Sequence, residues 1–199
     1  MNDDTFIPAK FLSFENGIDF WSPSSKKNVL EIGPLDGVYT GHIQNYHPLS
    51  HTIIDCNKDV CDEIADQFKE KIIAIHADAE VEITKLNKKF DIVYVLGVLY
   101  HLSSPLYLLE QIVNICNPDE IILDVIGDGA ANSLNVNNLV DMECLNKRGN
   151  RYQVGRKLSG ISLCLNNYVY EVAMKNLGYI KTSVLSYTQC KTIYKFTKA

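Results

Sequence analysis

Two glycines and two aspartates in the first half of the chain have the types and spacing of a nucleoside-binding site. Gly33 and Gly37 let the backbone turn sharply and approach a ligand where a Cβ would collide. Asp55 follows them by about twenty residues, the spacing at which an acid on the neighbouring strand reaches a ribose hydroxyl pair. Asp78, followed by Ala79, is placed to receive the amino group of adenine. Each feature alone is common at strand ends, and the combination indicates a nucleoside.

The residues around the glycine turn favour a cationic ligand over a pyrophosphate. A dinucleotide site needs G-x-G-x-x-G, whereas Leu35 and Thr40 stand where glycines would be required. Glu31, just before the turn, repels phosphate and attracts an ammonium and a sulfonium. The pattern therefore favours S-adenosylmethionine (SAM), and an NAD-type oxidoreductase is the alternative that binding of NADH in place of SAM would support.

Short apolar runs rich in Val and Ile alternate with helical patterns as far as residue 126. Such runs are typical of parallel strands that are covered on both faces. Strands are predicted at residues 27–32, 51–56, 71–77, 90–98 and 120–126, and helices at 40–46, 60–69 and 106–116. This order predicts right-handed β-α-β units and a parallel sheet, with the ligand at the carboxyl ends of the strands.

The pattern changes after the fifth predicted strand. Residues 127–164 are rich in Asn, Gly and charge, and they predict a substrate lid with some short helix of its own. A helix at 166–177 and an edge hairpin of strands at 179–187 and 192–197 follow. The predicted fold class is α/β, a doubly wound, Rossmann-like, mostly parallel seven-stranded sheet with an antiparallel C-terminal hairpin, in a single domain of residues 1–199.

The motifs resemble those of class I SAM-dependent methyltransferases. The resemblance rests on residues 29–40 (VLEIGPLDGVYT), Asp55, Asp78 and residues 90–109 (FDIVYVLGVLYHLSSPLYLL), and it covers most of the first 126 residues. Leu35 stands where the family's first motif has a central glycine, a departure shared by relatives with a G-P-x-x-G turn. The resemblance implies methyl transfer from SAM.

The resemblance also implies which residues hold the cofactor. These residues are Glu31, Gly33, Pro34, Gly37, Asp55, Asp78, Ala79, Leu96 and Gly97. Those of the glycine turn would contact the methionine end, Asp55 would bind the ribose, and Asp78 and Ala79 would flank adenine. Leu96 and Gly97 would line the cofactor at the fourth strand.

Residues 97–106 (GVLYHLSSPL) are similar to the tRNA wobble-uridine carboxymethyltransferases, which use carboxy-SAM. In those enzymes the tyrosine matching Tyr100 helps to hold the extra carboxylate. They also carry a long amino-terminal extension and basic residues for tRNA, which this acidic chain lacks. Ordinary SAM is therefore favoured, and a carboxymethyltransferase acting on RNA is an alternative.

Tyr100 and His101 are the candidate catalytic residues, because they follow the fourth strand where methyl group and acceptor would meet. His101 is a candidate general base for a hydroxyl acceptor; the alternative is a histidine that caps the next helix. In the lid, Arg151, Tyr152 and Arg156, together with Tyr100, are candidate substrate contacts, and a solvated charged loop is the alternative. Near the amino terminus, aromatic residues including Phe20 and Trp21 could cover the cofactor or pack in the core.

Composition restricts the partners. A net charge of -5 with 19 Lys and Arg residues disfavours a surface for long nucleic acid and favours a small-molecule substrate. The polar start and the lack of a long apolar run predict a cytoplasmic protein without a membrane segment. The scattered cysteines and histidines predict reduced thiols and no metal site. A non-catalytic SAM-binding scaffold is a further alternative, and oligomeric state is left open.

Overall fold

The computed structural model describes residues 19–126, 139–141, 161–163, 165, 167–186 and 191–199. The strands are Asn28–Ile32 (β1), Ser50–Asp55 (β2), Ile73–His76 (β3), Ile92–Leu96 (β4), Glu120–Ile126 (β5), Leu139–Asp141 (β6), Ile161–Leu163 (β7), Tyr179–Ser186 (β8) and Lys191–Lys198 (β9). The helices are Val38–Asn45 (α1), Lys58–Phe68 (α2), Ala79–Glu82 (α3), Pro105–Gln111 (α4) and Asn167–Asn176 (α5). No helix in these ranges combines the length and apolar character needed to cross a membrane.

Seven of the strands form one sheet in the order β3-β2-β1-β4-β5-β9-β8. The five strands from β3 to β5 in this order are parallel, and β9 and β8 are antiparallel to their neighbours. The chain first builds outward from β1 to β3, then returns to place β4 on the other side of β1. The predicted sheet and its antiparallel hairpin are confirmed, and the switch point between β1 and β4 is where this architecture binds ligands.

Helices cover both faces of the sheet, because successive side chains of each strand point to opposite faces. Val29 of β1 packs in one buried cluster with Trp21 and with Ile43 of α1. The next residue, Leu30, packs in another cluster with Leu108 of α4. The central strands are therefore apolar on both faces apart from a few buried polar residues such as Glu31, which is why their sequences show no alternation.

Two strands and the lid differ from the sequence-based predictions. The fourth strand covers residues 92–96 rather than 90–98, so that Gly97 follows the strand instead of lying within it. The third strand is shorter than predicted, since β3 ends at His76 and Asp78 is instead the N-cap of α3. Its carboxylate accepts the Glu80 N–H at 3.0 Å, and this cap starts a short helix that the strand-like pattern hid. Within the predicted lid, the described residues are the antiparallel pair β6 and β7, and the predicted short helix falls outside them.

Phe20 and Trp21 belong to the core. Both are buried, and the Trp21 ring stacks on Tyr39 and Tyr94 at centroid distances of 5.4 and 5.6 Å. The Tyr94 hydroxyl donates to the Phe20 carbonyl at 2.8 Å and lies 2.6 Å from the buried Ser24 hydroxyl. These bonds fix the segment before β1 to the middle of the sheet.

Replacing Tyr94 by phenylalanine is expected to lower the free energy of unfolding by about 1–3 kcal/mol. The change leaves the buried Ser24 hydroxyl and the Phe20 carbonyl without their partner, and unmet buried polar groups cost this amount. Urea unfolding followed by circular dichroism measures the effect. Tyr107→Phe is the matched control, because that ring is 47% exposed and should change stability by less than about 0.5 kcal/mol. Equal stability of the two variants would contradict the assignment.

Candidate functional site

The turn after β1 has an unusual backbone. Gly33, Leu35 and Gly37 have φ angles of 76°, 56° and 75°, all in the left-handed region. The Gly37 N–H donates to the Pro34 carbonyl at 3.0 Å, and Gly37 then caps α1. Glycine adopts this conformation freely, whereas Leu35 adopts it at a cost of about 1–2 kcal/mol. Leu35 thus keeps the backbone form expected of a glycine at that position.

Gly33 contacts the ends of the two strands that flank β1, namely β2 and β4. Its N–H donates to the Ile54 carbonyl of β2 at 3.0 Å. A Cβ on this residue would lie 1.8 Å from Val98 Cγ2 and 3.5 Å from the Leu96 carbonyl oxygen. The end of β1 is therefore packed between the end of β2 and the loop after β4.

Glu31 is fully buried in β1, with half of its carboxylate engaged. Its Oε2 accepts the Thr40 hydroxyl at 2.8 Å and lies 3.1 Å from His51 Nε2. Its Oε1 has no hydrogen-bond partner among the described residues. A buried carboxylate oxygen without a donor costs free energy, so this atom is an acceptor suited to a ligand with a cationic donor.

Asp55 lies at the end of β2, one residue beyond the carbonyl that accepts from Gly33. Burial raises the pKa of Asp55 and the charge of Glu31 raises it further, while the Asn57 N–H, His76 and the Leu35 N–H act in the opposite direction. The Asn57 N–H donates to Asp55 Oδ1 at 2.8 Å. The carboxylates of Glu31 and Asp55 lie on adjacent strands, and the negative charge of each destabilises the ionised form of the other. The pair therefore favours a ligand that carries positive charge and hydroxyl donors.

The predicted adenine-side residues lie at the neighbouring strand end. Asp78 Oδ1 is engaged as the cap of α3, and Ala79 is buried behind it. The Glu80 carboxylate accepts the N–H groups of Ser103 and Ser104 at 3.4 and 2.6 Å. These bonds tie the short helix α3 to the start of α4.

The end of β4 brings the candidate catalytic residues to the same edge. Leu96 is buried, and Gly97 has a φ angle of 66°. Tyr100 and His101 lie in the short 3-10 turn Leu99–His101, with ring centroids 4.3 Å apart. A Cβ on Gly97 would be 3.4 Å from the Tyr100 hydroxyl, so the glycine allows that hydroxyl to approach the strand end.

Asp124 is a site residue that sequence reasoning missed. It is 2% exposed, pairs with Leu96 across β4 and β5, and places Oδ2 3.9 Å from the Cβ position of Gly97. Burial raises the pKa of Tyr39, and Asp124 is the charged group that raises it most. The signal was a single acid inside the apolar run of residues 121–126 (IILDVI), which was interpreted only as a strand.

The remaining predicted residues divide into two groups. The cluster at the carboxyl edge of β1, β2 and β4 contains Glu31, Gly33, Pro34, Gly37, Asp55, Leu96, Gly97, Tyr100 and His101. The candidates Arg151, Tyr152 and Arg156 lie outside the described residues. Among the residues that the structure describes, no group of His, Cys, Asp or Glu is arranged to hold a metal ion.

Comparison with curated proteins gives two tRNA U34 carboxymethyltransferases. The protein of Nautilia profundicola is 30% identical over 129 residues, and that of Campylobacter curvus is 27% identical over 128 residues. The matches cover 62% and 61% of this chain but only 43% of each relative. The chain therefore matches less than half the length of these relatives.

Solved structures share the fold. The N-terminal domain of EvdMO1, crystallised with SAH and D-fucose, has a TM-score of 0.69 at 19% identity and covers 90% of this chain and 79% of its own. The N-methyltransferase NodS from Bradyrhizobium japonicum WM9, in complex with SAH, has a TM-score of 0.63 at 14% identity, with coverage of 89% and 80%. Magnesium protoporphyrin IX methyltransferase from Synechocystis PCC 6803, with bound SAM, has a TM-score of 0.62 at 11% identity, with coverage of 88% and 71%.

A family model decides the assignment. The model described as a methyltransferase domain matches residues 11–154, which include the glycine turn, Asp55 and the β4 loop. This range is well over half of the chain, and the sheet order and site geometry agree with it. The chain belongs to the methyltransferase domain family, whose methyl donor is SAM.

Proposed function

We propose that this protein binds SAM and transfers its methyl group to a small-molecule acceptor. The observation that carries the proposal is the buried, unpartnered Oε1 of Glu31 one strand away from the partly buried Asp55. SAM has an ammonium group for the first, ribose hydroxyls for the second and a further positive charge on sulfur. When bound, it supplies a methyl group that is already activated for transfer.

Each residue of the cluster then has a binding role. Glu31 accepts a hydrogen bond from the ammonium group, and Asp55 accepts from the ribose hydroxyls. Gly33 and Gly97 let the backbone lie close to the cofactor, and Ala79 leaves room for the adenine. These contacts contribute to catalysis by alignment, because a correctly held acceptor and the exclusion of water remove much of the barrier.

Tyr100 and His101 are proposed to lie on the acceptor side. Their ring centroids are 4.3 Å apart at the edge where β4 ends, and the Tyr100 hydroxyl and the Asp124 carboxylate both approach the Cβ position of Gly97. For a hydroxyl acceptor, His101 would take the proton as the new bond to carbon forms. Tyr100 would orient the acceptor through its hydroxyl.

Residues 127–164 are proposed to form a substrate lid within a single domain of residues 1–199. The segment is inserted between β5 and α5, and the backbone of β7 lies against the turn that holds Tyr100 and His101. In this proposal Arg151, Tyr152 and Arg156 contact the substrate. Cys61 and Cys116 are buried thiols that form no disulfide with another described residue, which supports a reducing, cytoplasmic location.

Transfer of a carboxymethyl group to RNA is the second candidate, because both curated relatives are tRNA U34 carboxymethyltransferases. The donor for that reaction carries an additional carboxylate. The described acidic residues in or at the ends of β1, β2 and β5, Glu31, Asp55 and Asp124, would repel that additional charge. This electrostatic environment favours SAM over carboxy-SAM.

Isothermal titration calorimetry with SAM, carboxy-SAM and NADH tests the cofactor directly. We expect saturable binding of SAM, weaker binding of carboxy-SAM and none of NADH. Conversion of SAM to S-adenosylhomocysteine (SAH) in the presence of metabolite fractions then tests methyl transfer. Tighter binding of carboxy-SAM would favour the second candidate, and SAM binding without turnover in any fraction would favour a non-catalytic scaffold.

Replacing Asp55 by asparagine is expected to weaken SAM binding about 10-fold, since a charged acceptor of two hydroxyls is lost. Because the pKa of Asp55 is raised above its usual value of 3.8, wild-type affinity should fall with decreasing pH before an ordinary aspartate becomes protonated. The stability of the protein without SAM depends on pH in the opposite direction: it increases as the pH falls. The folded state holds this proton more tightly than the unfolded chain, so the ionised carboxylate destabilises the free protein above this pH window.

The same substitution should therefore raise the free energy of unfolding of the free protein while it lowers SAM affinity. Calorimetry across a pH series and urea unfolding without ligand measure the two effects. Asp62→Asn is the control, because that side chain is 61% exposed on α2 and pairs with Lys58 at the surface. Unchanged SAM affinity in the Asp55 variant would remove this residue from the site.

A further inference from the structure

We infer that Thr40 and His51 are positioning residues that orient Glu31 and thereby set the affinity of the site for the ammonium group of its ligand. The inference rests on the proposed function, since it concerns how the cofactor's amino group is recognised. Thr40 ends the motif of residues 29–40, where it is notable only for not being glycine, and His51 belongs to none of the motifs that predicted the site.

Both contacts fall on the same oxygen of Glu31. Thr40, in the first turn of α1, donates its hydroxyl to Oε2 at 2.8 Å. His51, the second residue of β2, places Nε2 3.1 Å from that oxygen, and the side chains of His51 and Glu31 are completely buried. Because Oε2 is held from a helix and from a neighbouring strand, the carboxylate cannot rotate freely, and Oε1 remains as the acceptor for the ligand.

The orientation of His51 is fixed by Gln44 of α1. The Gln44 amide nitrogen lies 2.9 Å from His51 Nδ1, and an amide nitrogen can only donate. Nδ1 therefore accepts, and the proton of the neutral ring lies on Nε2, facing Glu31. That N–H is not aligned for a hydrogen bond, so the ring stabilises the carboxylate by charge–dipole attraction at 3.1 Å.

Among the described residues, the other groups whose pKa responds to the charge of Glu31 are an aspartate and two tyrosines. Asp55 from the end of β2, Tyr39 from α1 and Tyr94 from β4 are the groups whose pKa the charge of Glu31 raises. A neutral His51 in this setting orients the Glu31 carboxylate without cancelling its charge. The negative charge remains available to the ammonium group.

This arrangement predicts that variants of Thr40 and His51 lose affinity for SAM but not for a ligand that lacks the ammonium group. Methylthioadenosine has the adenosine and sulfur of SAM but lacks the amino-acid tail, so it does not reach Glu31. Thr40→Val keeps the shape of the side chain and removes the donor, and His51→Leu removes the ring dipole. We expect each variant to bind SAM about 10-fold more weakly than the wild type, with methylthioadenosine changed by less than about 2-fold.

Thr40→Ser and His51→Gln are the matched controls, because each retains a donor near the position of the original one and should restore most of the SAM affinity. Binding is measured by calorimetry, with thermal unfolding as the check on folding. If His51→Leu does not fold, Thr40→Val against Thr40→Ser provides the same comparison.

Equal weakening of both ligands would show a merely structural role and would overturn the inference alone. An unchanged SAM affinity in Thr40→Val would do the same. Failure of the folded wild-type protein to bind SAM would overturn the proposed function and the inference together, so the two failures are distinguishable.

Discussion

Replacing Glu31 by glutamine is expected to weaken SAM binding by about 100-fold, equivalent to about 3 kcal/mol. Glutamine has nearly the same shape and can still accept from Thr40, but it removes the charge that faces the ammonium group. The loss is large because Glu31 is buried, where the attraction between opposite charges is little reduced by water. Calorimetric titration with SAM measures it.

Glu120→Gln is the matched control for this substitution. Glu120 is also a glutamate of the sheet, but it is only partly buried, begins β5 at the opposite edge and pairs with Lys195 at 2.9 Å. We expect Glu120→Gln to alter stability and leave SAM affinity unchanged. Similar SAM affinities of the two variants would contradict the role given to Glu31.

Replacing Gly33 by alanine is expected to lower the free energy of unfolding by about 2–5 kcal/mol. The left-handed backbone contributes about 1–2 kcal/mol of this, and the overlap with Val98 contributes the rest, since the new Cβ would lie 1.8 Å from Val98 Cγ2. Valine is a stiff side chain that has few ways to move aside. Urea unfolding is the measurement, and SAM binding should fall with it because the turn must shift.

Gly178→Ala isolates the backbone part of this cost. Gly178 has a φ of 87°, but a Cβ there would meet nothing within 4 Å. Gly178→Ala should therefore lower the free energy of unfolding by only the backbone cost of about 1–2 kcal/mol. The double variant Gly33→Ala with Val98→Ala should recover part of the stability lost by Gly33→Ala. Equal losses in the two alanine variants would show that the end of β1 is not packed as described.

The central sheet could be predicted because its strands are buried on both faces. Residues 120–126 were predicted with the bounds of β5, since each position must be apolar or paired. The edge strand β3 was less well defined, because Ile73 is 56% exposed and the pattern gives no clear end. Asp78 ends the strand segment by capping the helix that follows it. In the sequence alone, an aspartate that caps a helix cannot be distinguished from one that ends a strand.

The candidate site could be predicted at positions where the backbone or the spacing requires one type of residue. Gly33 and Gly37 are required by positive φ angles, and Asp55 has a spacing that fixes its place. His51 and Asp124 were not recognised as site residues, because a polar residue in an apolar strand shows no partner in sequence. Their importance depends on the register between strands, which places them near Glu31 and Gly97 respectively.

The most direct test of the account is a crystal structure of the protein with SAH. We predict that the amino group of SAH lies within hydrogen-bond distance of Glu31 Oε1 and that the ribose hydroxyls lie on the Asp55 carboxylate. An adenosine bound away from the edge between β1, β2 and β4, or no bound SAH at saturating concentration, would contradict the account.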